Sequence, residues 1–487
     1  MHYTSTRGKE ALSFEDAVMR GLAPDGGLYV PNCIPAAAGD WDSLSFNELA
    51  FEIFRLYIPQ NEISNAELVQ IISKSFASFP VNVVKLVSLT NDPPVSILEL
   101  FHGPTCAFKD VALQFLGNLF DFFLLRKPGS HLTVVGATSG DTGGAAIYGL
   151  KGKSNVEVFI LHPENRVSKI QENQMCTVMD ANVHNVAVQG TFDDCQAIVK
   201  TLFKDEDFRK EMSLGAVNSI NWARILAQTT YYFYAYYQIS KGQKQKEVRF
   251  SVPTGNFGDV LAGFYAKEMG LPIKLVIATN ENDILHRFLK TGKYDKSHAV
   301  CQTHSPAMDI LISSNFERVL YFLLMDQSEF RTISDTASQS AAEKLKSLMD
   351  ELNSEQSFTV AEHVLNKARS LFQSCRVSDS ETIDCMSRYF NLTGYVLDPH
   401  TAVGVVAVEN LPSQLPTIVC GTASPGKFPE VVLEAVSNKL TFEDFAPTCL
   451  HGMDKLPKRV MVTQLGSDGG VKNVKNLISE TLGNKVQ

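Results

Sequence analysis

An α/β fold, with parallel sheets flanked by helices, is what this sequence predicts, on three observations. From residue 131 to residue 278, short β-branched runs alternate with longer helical ones, and parallel strands need crossovers that a helix usually supplies. Two of the strand-to-helix junctions, Gly136-Ala-Thr-Ser-Gly-Asp-Thr-Gly-Gly144 and Pro253-Thr-Gly-Asn-Phe-Gly-Asp259, are glycine-rich. Finally, 487 residues with 44% apolar and 20% charged content suit an ordinary globular chain of two or three domains.

Taken in order, residues 1–94 mix helical stretches such as 45–57 with turn signals, notably Pro24-Asp-Gly-Gly27, and the breaker Asn91-Asp-Pro-Pro94 sets a boundary. The next segment, 95–245, opens with Glu99-Leu-Phe-His-Gly-Pro-Thr-Cys-Ala-Phe-Lys-Asp110 and an apolar helix over 111–125, for which Asp110 is placed as N-cap. Strands 131–135 and 156–161 each precede a helix, 142–150 and 167–178, and the aromatic run 231–237 with Trp222 packs a core helix. In segment 246–430, strand 248–252 leads into helix 260–269 and strand 273–278 follows. Residues 328–389 are polar with helical periodicity over 341–352 and 361–372, which predicts a helical insertion acting as a surface cap, and 431–487 form a C-terminal segment.

The formal charge of −9 and the lack of any Lys/Arg block give no electrostatic reason for nucleic acid, so a phosphorylated ligand has to be gathered by a local site. No run of eighteen apolar residues and no apolar leader is present, which predicts a soluble cytoplasmic protein away from membranes. Nine cysteines show neither C-x-x-C nor metal-ligand spacing and read as reduced packing residues, with no metal expected.

Lys109 is the first candidate for chemistry. A lysine held just before a buried helix loses water, which depresses its pKa and frees its amine as a nucleophile or Schiff-base partner. The 253–259 loop exposes unpaired N–H groups and the positive end of a helix dipole, roughly half an elementary charge, as a phosphate site would. Gly255 and Gly258 permit close backbone approach, Asn256 can donate, and Asp259 is expected to cap locally with only its N–H turned inward. The loop at 136–144 offers Ser/Thr and backbone donors for a carboxylate or phosphate. Arg224 and Arg287 are candidate clamps for either anion, while His102 and His400 are expected to be satisfied by backbone hydrogen bonds. Neither loop reads as G-x-G-x-x-G or Walker A, so nucleotide and NAD readings are weak.

Together these residues make the chain similar to the threonine synthase family, in its longer fungal and bacterial branch. The resemblance runs through Tyr3-Thr-Ser-Thr-Arg-Gly8, Pro24-Asp-Gly-Gly-Leu-Tyr29, the lysine segment, Gly140-Asp-Thr-Gly143, Asn218-Ser-Ile-Asn-Trp-Ala-Arg224, Gly255-Asn-Phe-Gly-Asp259, Asn280-Glu-Asn-Asp-Ile284, Ser305-Pro-Ala-Met-Asp309 and Asp398-Pro-His-Thr401. It implies a fold type II enzyme, tryptophan synthase β-like, that depends on pyridoxal 5′-phosphate (PLP), with an N-terminal family domain over 1–94. It also implies that Lys109 carries the cofactor, that Gly255, Asn256, Phe257 and Asp259 bind it, and that Thr422 faces its pyridine nitrogen. Thr138, Ser139, Asp141 and Thr142 match the loop for the substrate's anionic groups. A neutral hydroxyl at Thr422 would temper the cofactor as an electron sink.

The activity so implied is conversion of O-phospho-L-homoserine and water to L-threonine and phosphate, by a monomer or homo-oligomer. The family segment departs here at Ser424, where it has His, and at Gly426, where it has Ala. That leaves open a phospho-lyase giving 2-oxobutanoate and ammonia, as in animal threonine synthase-like proteins. A non-catalytic binding protein is disfavoured because Lys109, both glycine loops and Thr422 occur together.

Overall fold

Two sheets, one of six strands and one of five, carry the architecture of the computed structural model, which describes residues 1–39, 41–80, 82–138, 140–241, 246–327 and 329–483. The larger runs Phe372–Arg376, Ile273–Thr279, Val248–Pro253, Thr417–Gly421, Pro94–Glu99, Lys85–Asn91. All its pairings are parallel except the last, an antiparallel hairpin. The smaller runs Met461–Gln464, Val183–Gln189, Val156–Pro163, Leu132–Ala137, Leu214–Gly215 and is parallel throughout. Strands Val156–Pro163 and Val248–Pro253 are buried at every position, as strands with both faces covered must be.

The alternation expected between 131 and 278 is present, with helices Asp141–Leu150, Lys169–Cys176, Trp222–Ser240 and Gly258–Glu268 between the strands. Trp222–Ser240 is the hub of the N-terminal core. Trp222 lies 5.8 Å from the ring of Tyr3, 5.6 Å from Tyr57 and 4.9 Å from Tyr265, so the chain's first residues are packed onto the helix that also carries Arg224. Helix Phe46–Tyr57 starts where expected because Ser45 and Glu48 form a capping box.

Two expectations are corrected. The boundary at 94 falls inside the hairpin Lys85–Asn91/Pro94–Glu99, because Asn91 pairs with Pro94 across a tight turn and both strands belong to the six-stranded sheet. The 328–389 region is more than a surface cap. Its strand Phe372–Arg376 edges that sheet, and Leu345, Leu352, Leu365 and Phe372 are buried in the main core. Within the C-terminal segment, Met461–Gln464 extends the five-stranded sheet and Val474 and Ile478 of helix Val471–Gly483 bury against its strands.

Candidate active site

Helix Lys109–Leu125 begins at Lys109 itself, two residues earlier than the turn chemistry suggests, and its N-cap, Phe108, provides no side-chain cap. Asp110 is therefore not the N-cap. Its carboxylate turns back into the preceding loop, accepting from Thr105 N at 2.8 Å and Thr105 Oγ1 at 2.7 Å, and burial pushes it up to about 6 against those bonds. The fold-back seats Gly103, where an added Cβ would lie 2.4 Å from the Asp110 side chain. Asp110 thus locks the turn that presents Lys109.

Lys109 Nζ lies 3.5 Å from Asp141 Oδ2 and 5.0 Å from the centre of the Phe108 ring. Burial lowers its pKa, Asp141 opposes that, and the nearby Lys427 and Arg224 cations reinforce it. An amine of this kind can be neutral at a pH where an exposed lysine is not.

A cavity of about 620 Å³, its open mouth included, is lined by Lys109, Thr142, Arg224, Gly255, Asn256, Phe257, Asp259 and Thr422 together with Gln228, His400 and Met308. Most of the residues singled out from the sequence are thereby brought together from five separate segments. Arg287 is not. It stands on helix Ile284–Thr291 with Nε on Asp283 Oδ1 at 2.8 Å and Nη2 on the Asp295 carbonyl at 3.1 Å, neutralised by its own neighbours away from the cavity lining. Ser139 lies outside the described residues.

Within the 136–144 loop the roles separate. The Thr138 hydroxyl donates to Gly140 O and accepts from Gly140 N and Gly143 N, so it is used in shaping the loop and has no donor left for a ligand. Asp141 does not face an anion either. Although burial opposes it, the Lys427 and Lys109 ammoniums, with a hydrogen bond from Gln171, hold its carboxyl far below the usual range. Only Thr142 of this group lines the cavity among the described residues.

At the second loop Phe257 sits in the left-handed region at φ 64°, a strained conformation for a bulky residue, and its ring is fixed between Phe316 and Phe372. Ser313 Oγ donates to Gly255 O at 2.6 Å, and Asn315 donates through N and Nδ2 to Asn256 O, both at 3.0 Å. Gly255 is required, for an added Cβ would come within 2.8 Å of Ala307 O. Asn256 is exposed, and its Oδ1 takes Ser314 Oγ at 3.4 Å, which leaves the Nδ2 hydrogens as available donors. Asp259 is not a cap. Its Oδ1 accepts from Tyr231 OH at 2.6 Å and Tyr232 OH at 2.7 Å, and burial raises it to about 6 despite those bonds. The start of helix Gly258–Glu268 consequently has no side-chain cap, and an anion can complete it.

Arg224 is 3% exposed, and neither its Nε nor its Nη1 has a partner among the described residues. Burial lowers it to about 10. An orphaned guanidinium beside an uncapped helix start and a neutralisable lysine is a fit for an anionic, aldehyde-bearing cofactor and for a phosphorylated substrate. Of the two histidines, His400 lines the cavity with Nδ1 on Asp398 Oδ1 at 3.0 Å and Nε2 accepting from Ala307 N at 3.1 Å. His102 is held by the Glu99 side chain at 3.0 Å rather than by backbone. Sequence reasoning did not find Gln228 or Lys427; the latter stands inside the Thr422 segment and could have been flagged as a lysine flanked by Gly426 and Phe428.

Sheet order, the lysine turn and the anion loop define a fold type II PLP enzyme, and residues 81–349 match the model described as pyridoxal-phosphate dependent enzyme. Flanking it, residues 2–76 match threonine synthase N terminus and 401–478 match threonine synthase, C-terminal. The threonine synthase of Eremothecium gossypii is 48% identical over 99% of this chain and 98% of its own. The crystal structure of threonine synthase from yeast superposes with TM-score 0.93 at 48% identity, covering 99% of both chains. The PLP-bound threonine synthase from Brucella melitensis does so with TM-score 0.90 at 40% identity and equal coverage. This chain belongs to the threonine synthase family, and PLP is its cofactor.

Proposed function

We infer that the chain converts O-phospho-L-homoserine and water to L-threonine and phosphate, a carbon–oxygen lyase reaction on a phosphate ester. Family membership supports this, and the geometric observation that carries it is Arg224, a buried guanidinium with two nitrogens that have no partner among the described residues, in the lining that also holds Lys109. Lys109, the Gly255–Asp259 loop and Thr422 would hold the cofactor, which when bound supplies the electron sink for negative charge at the substrate's Cα.

The chain's own groups do the rest. Lys109 Nζ moves protons, and burial, which lowers the pKa of its amine, favours its acting as a base. Arg224 and Thr142 bind the substrate's anionic groups and stabilise departing phosphate, while the N–H groups at the start of helix Gly258–Glu268 belong to the loop that would hold the cofactor. With both ring nitrogens engaged, His400 orients Ala307 and the loop rather than shuttling protons. At the position where the family has His, this chain has Ser424, whose hydroxyl accepts from Gly426 N at 3.3 Å.

The test feeds O-phosphohomoserine to the purified protein and separates threonine from 2-oxobutanoate. Threonine and phosphate in equal amounts are expected, and Lys109→Ala should lower the rate by about 10²–10⁴-fold or more. The ketoacid as sole product would reject the synthase assignment.

A further inference from the structure

Lys427 has a fully buried side chain and does not line the cavity, yet it is wired to the lysine that does. Its ammonium donates to Thr105 O at 2.7 Å and Gln174 Oε1 at 2.7 Å and forms an ion pair with Asp141 Oδ1 at 2.8 Å. Gln171 Nε2 supports the same Oδ1 at 2.8 Å. The other oxygen of Asp141 stands 3.5 Å from Lys109 Nζ. One carboxylate thus lies between two lysines, bound tightly to the remote one and loosely to the one in the cavity.

We propose that Lys427 is a positioning residue for proton transfer at Lys109: by engaging Asp141 Oδ1 it keeps that carboxylate from clamping Lys109 Nζ, so the amine can release and take up protons. This rests on the reading that Lys109 carries the cofactor. The charged groups acting on Lys109 are Asp141, Lys427 and Arg224, while Asp110, Cys106 and Cys449 feel Lys427. Without Lys427, Asp141 would act on Lys109 with its whole charge and favour its protonated form. Without Asp141, Lys109 would face two cations unshielded and lose its proton more readily. The two substitutions therefore have opposite signs.

The experiment titrates the absorbance of the bound cofactor in substrate-free holoenzyme. Lys427→Met is expected to move the midpoint up by about one pH unit or more, and Asp141→Asn to move it down by a similar amount. The double variant should fall between them, and Lys427→Arg should stay within about half a unit of wild type. The acid limb of kcat against pH should follow the same order. Movement of both single variants in one direction, or no movement in a folded Lys427→Met protein, overturns the proposal. If that variant does not fold, Lys427→Gln, which keeps donors for Thr105 and Gln174, replaces it. If neither folds, Asp141→Asn decides: downward movement supports the proposal, and upward movement or none sinks it. Borohydride trapping with peptide mapping is run beside it. A label on Lys109 with unmoved midpoints rejects only the role of Lys427, whereas a label elsewhere rejects the cofactor assignment itself.

Discussion

Arg224 enters the core on the first turn of helix Trp222–Ser240, and two of its nitrogens find nothing to bond there among the described residues. A buried cation in that condition destabilises the protein that carries it, by about 1–3 kcal/mol for the unsatisfied donors. Arg224→Met should therefore raise the melting temperature of cofactor-free protein while lowering kcat/KM for O-phosphohomoserine by about 10²-fold or more. A variant that loses both stability and activity would show that Arg224 is structural. Its candidacy was legible because a guanidinium can grip either anion in bidentate fashion and this one closes the family segment Asn218–Arg224. Asp110 and Asp259 misled. Each sits at a helix start, where capping is the local expectation, but the winning partners are Thr105 in the loop before and Tyr231 and Tyr232 on another helix.

Among the elements, the segment Thr254–Phe257 joins strand Val248–Pro253 to helix Gly258–Glu268, and its shape is imposed by the 305–315 stretch lying over it. Gly255→Ala would push a methyl to 2.8 Å from Ala307 O and 3.3 Å from Met308 Cα, backbone atoms that cannot swing aside. Overpacking of this kind costs about 1–3 kcal/mol, and the loop shift should reduce cofactor retention on dialysis by about tenfold or more. Unchanged retention would mean that the loop does not hold the cofactor. The strands and helices of this region were readable in sequence because β-branched runs, glycines and helical periodicity are local signals. Strand Phe372–Arg376 was not, since Phe372-Gln-Ser-Cys-Arg376 follows directly on a helical run and becomes a strand only through its pairing with Ile273–Thr279.

At the scale of the whole molecule, what the sequence hid is contact between distant segments. Lys427 lies 322 residues from Thr105, whose carbonyl it bonds, and no periodicity records such a link. The C-terminal segment is a second case, and it makes the last prediction. Val474 and Ile478 share a core with Val135, Phe159, Val186 and Ile198, and Met461–Gln464 adds the outer strand beside Val183–Gln189. Val135 stands on the strand that leads directly into the 136–144 loop, so this core supports one wall of the site. Ending the chain at residue 458 removes both side chains, each worth about 1.5–3 kcal/mol of burial, and opens the flank of the five-stranded sheet. Because proteins open in cooperative units, hydrogen exchange should quicken in Val156–Pro163 and Val183–Gln189 and leave Val248–Pro253 and Thr417–Gly421 protected. Uniform loss of protection across both sheets would show instead that the two lobes unfold as one unit, with the C-terminal segment bracing the whole rather than its own half.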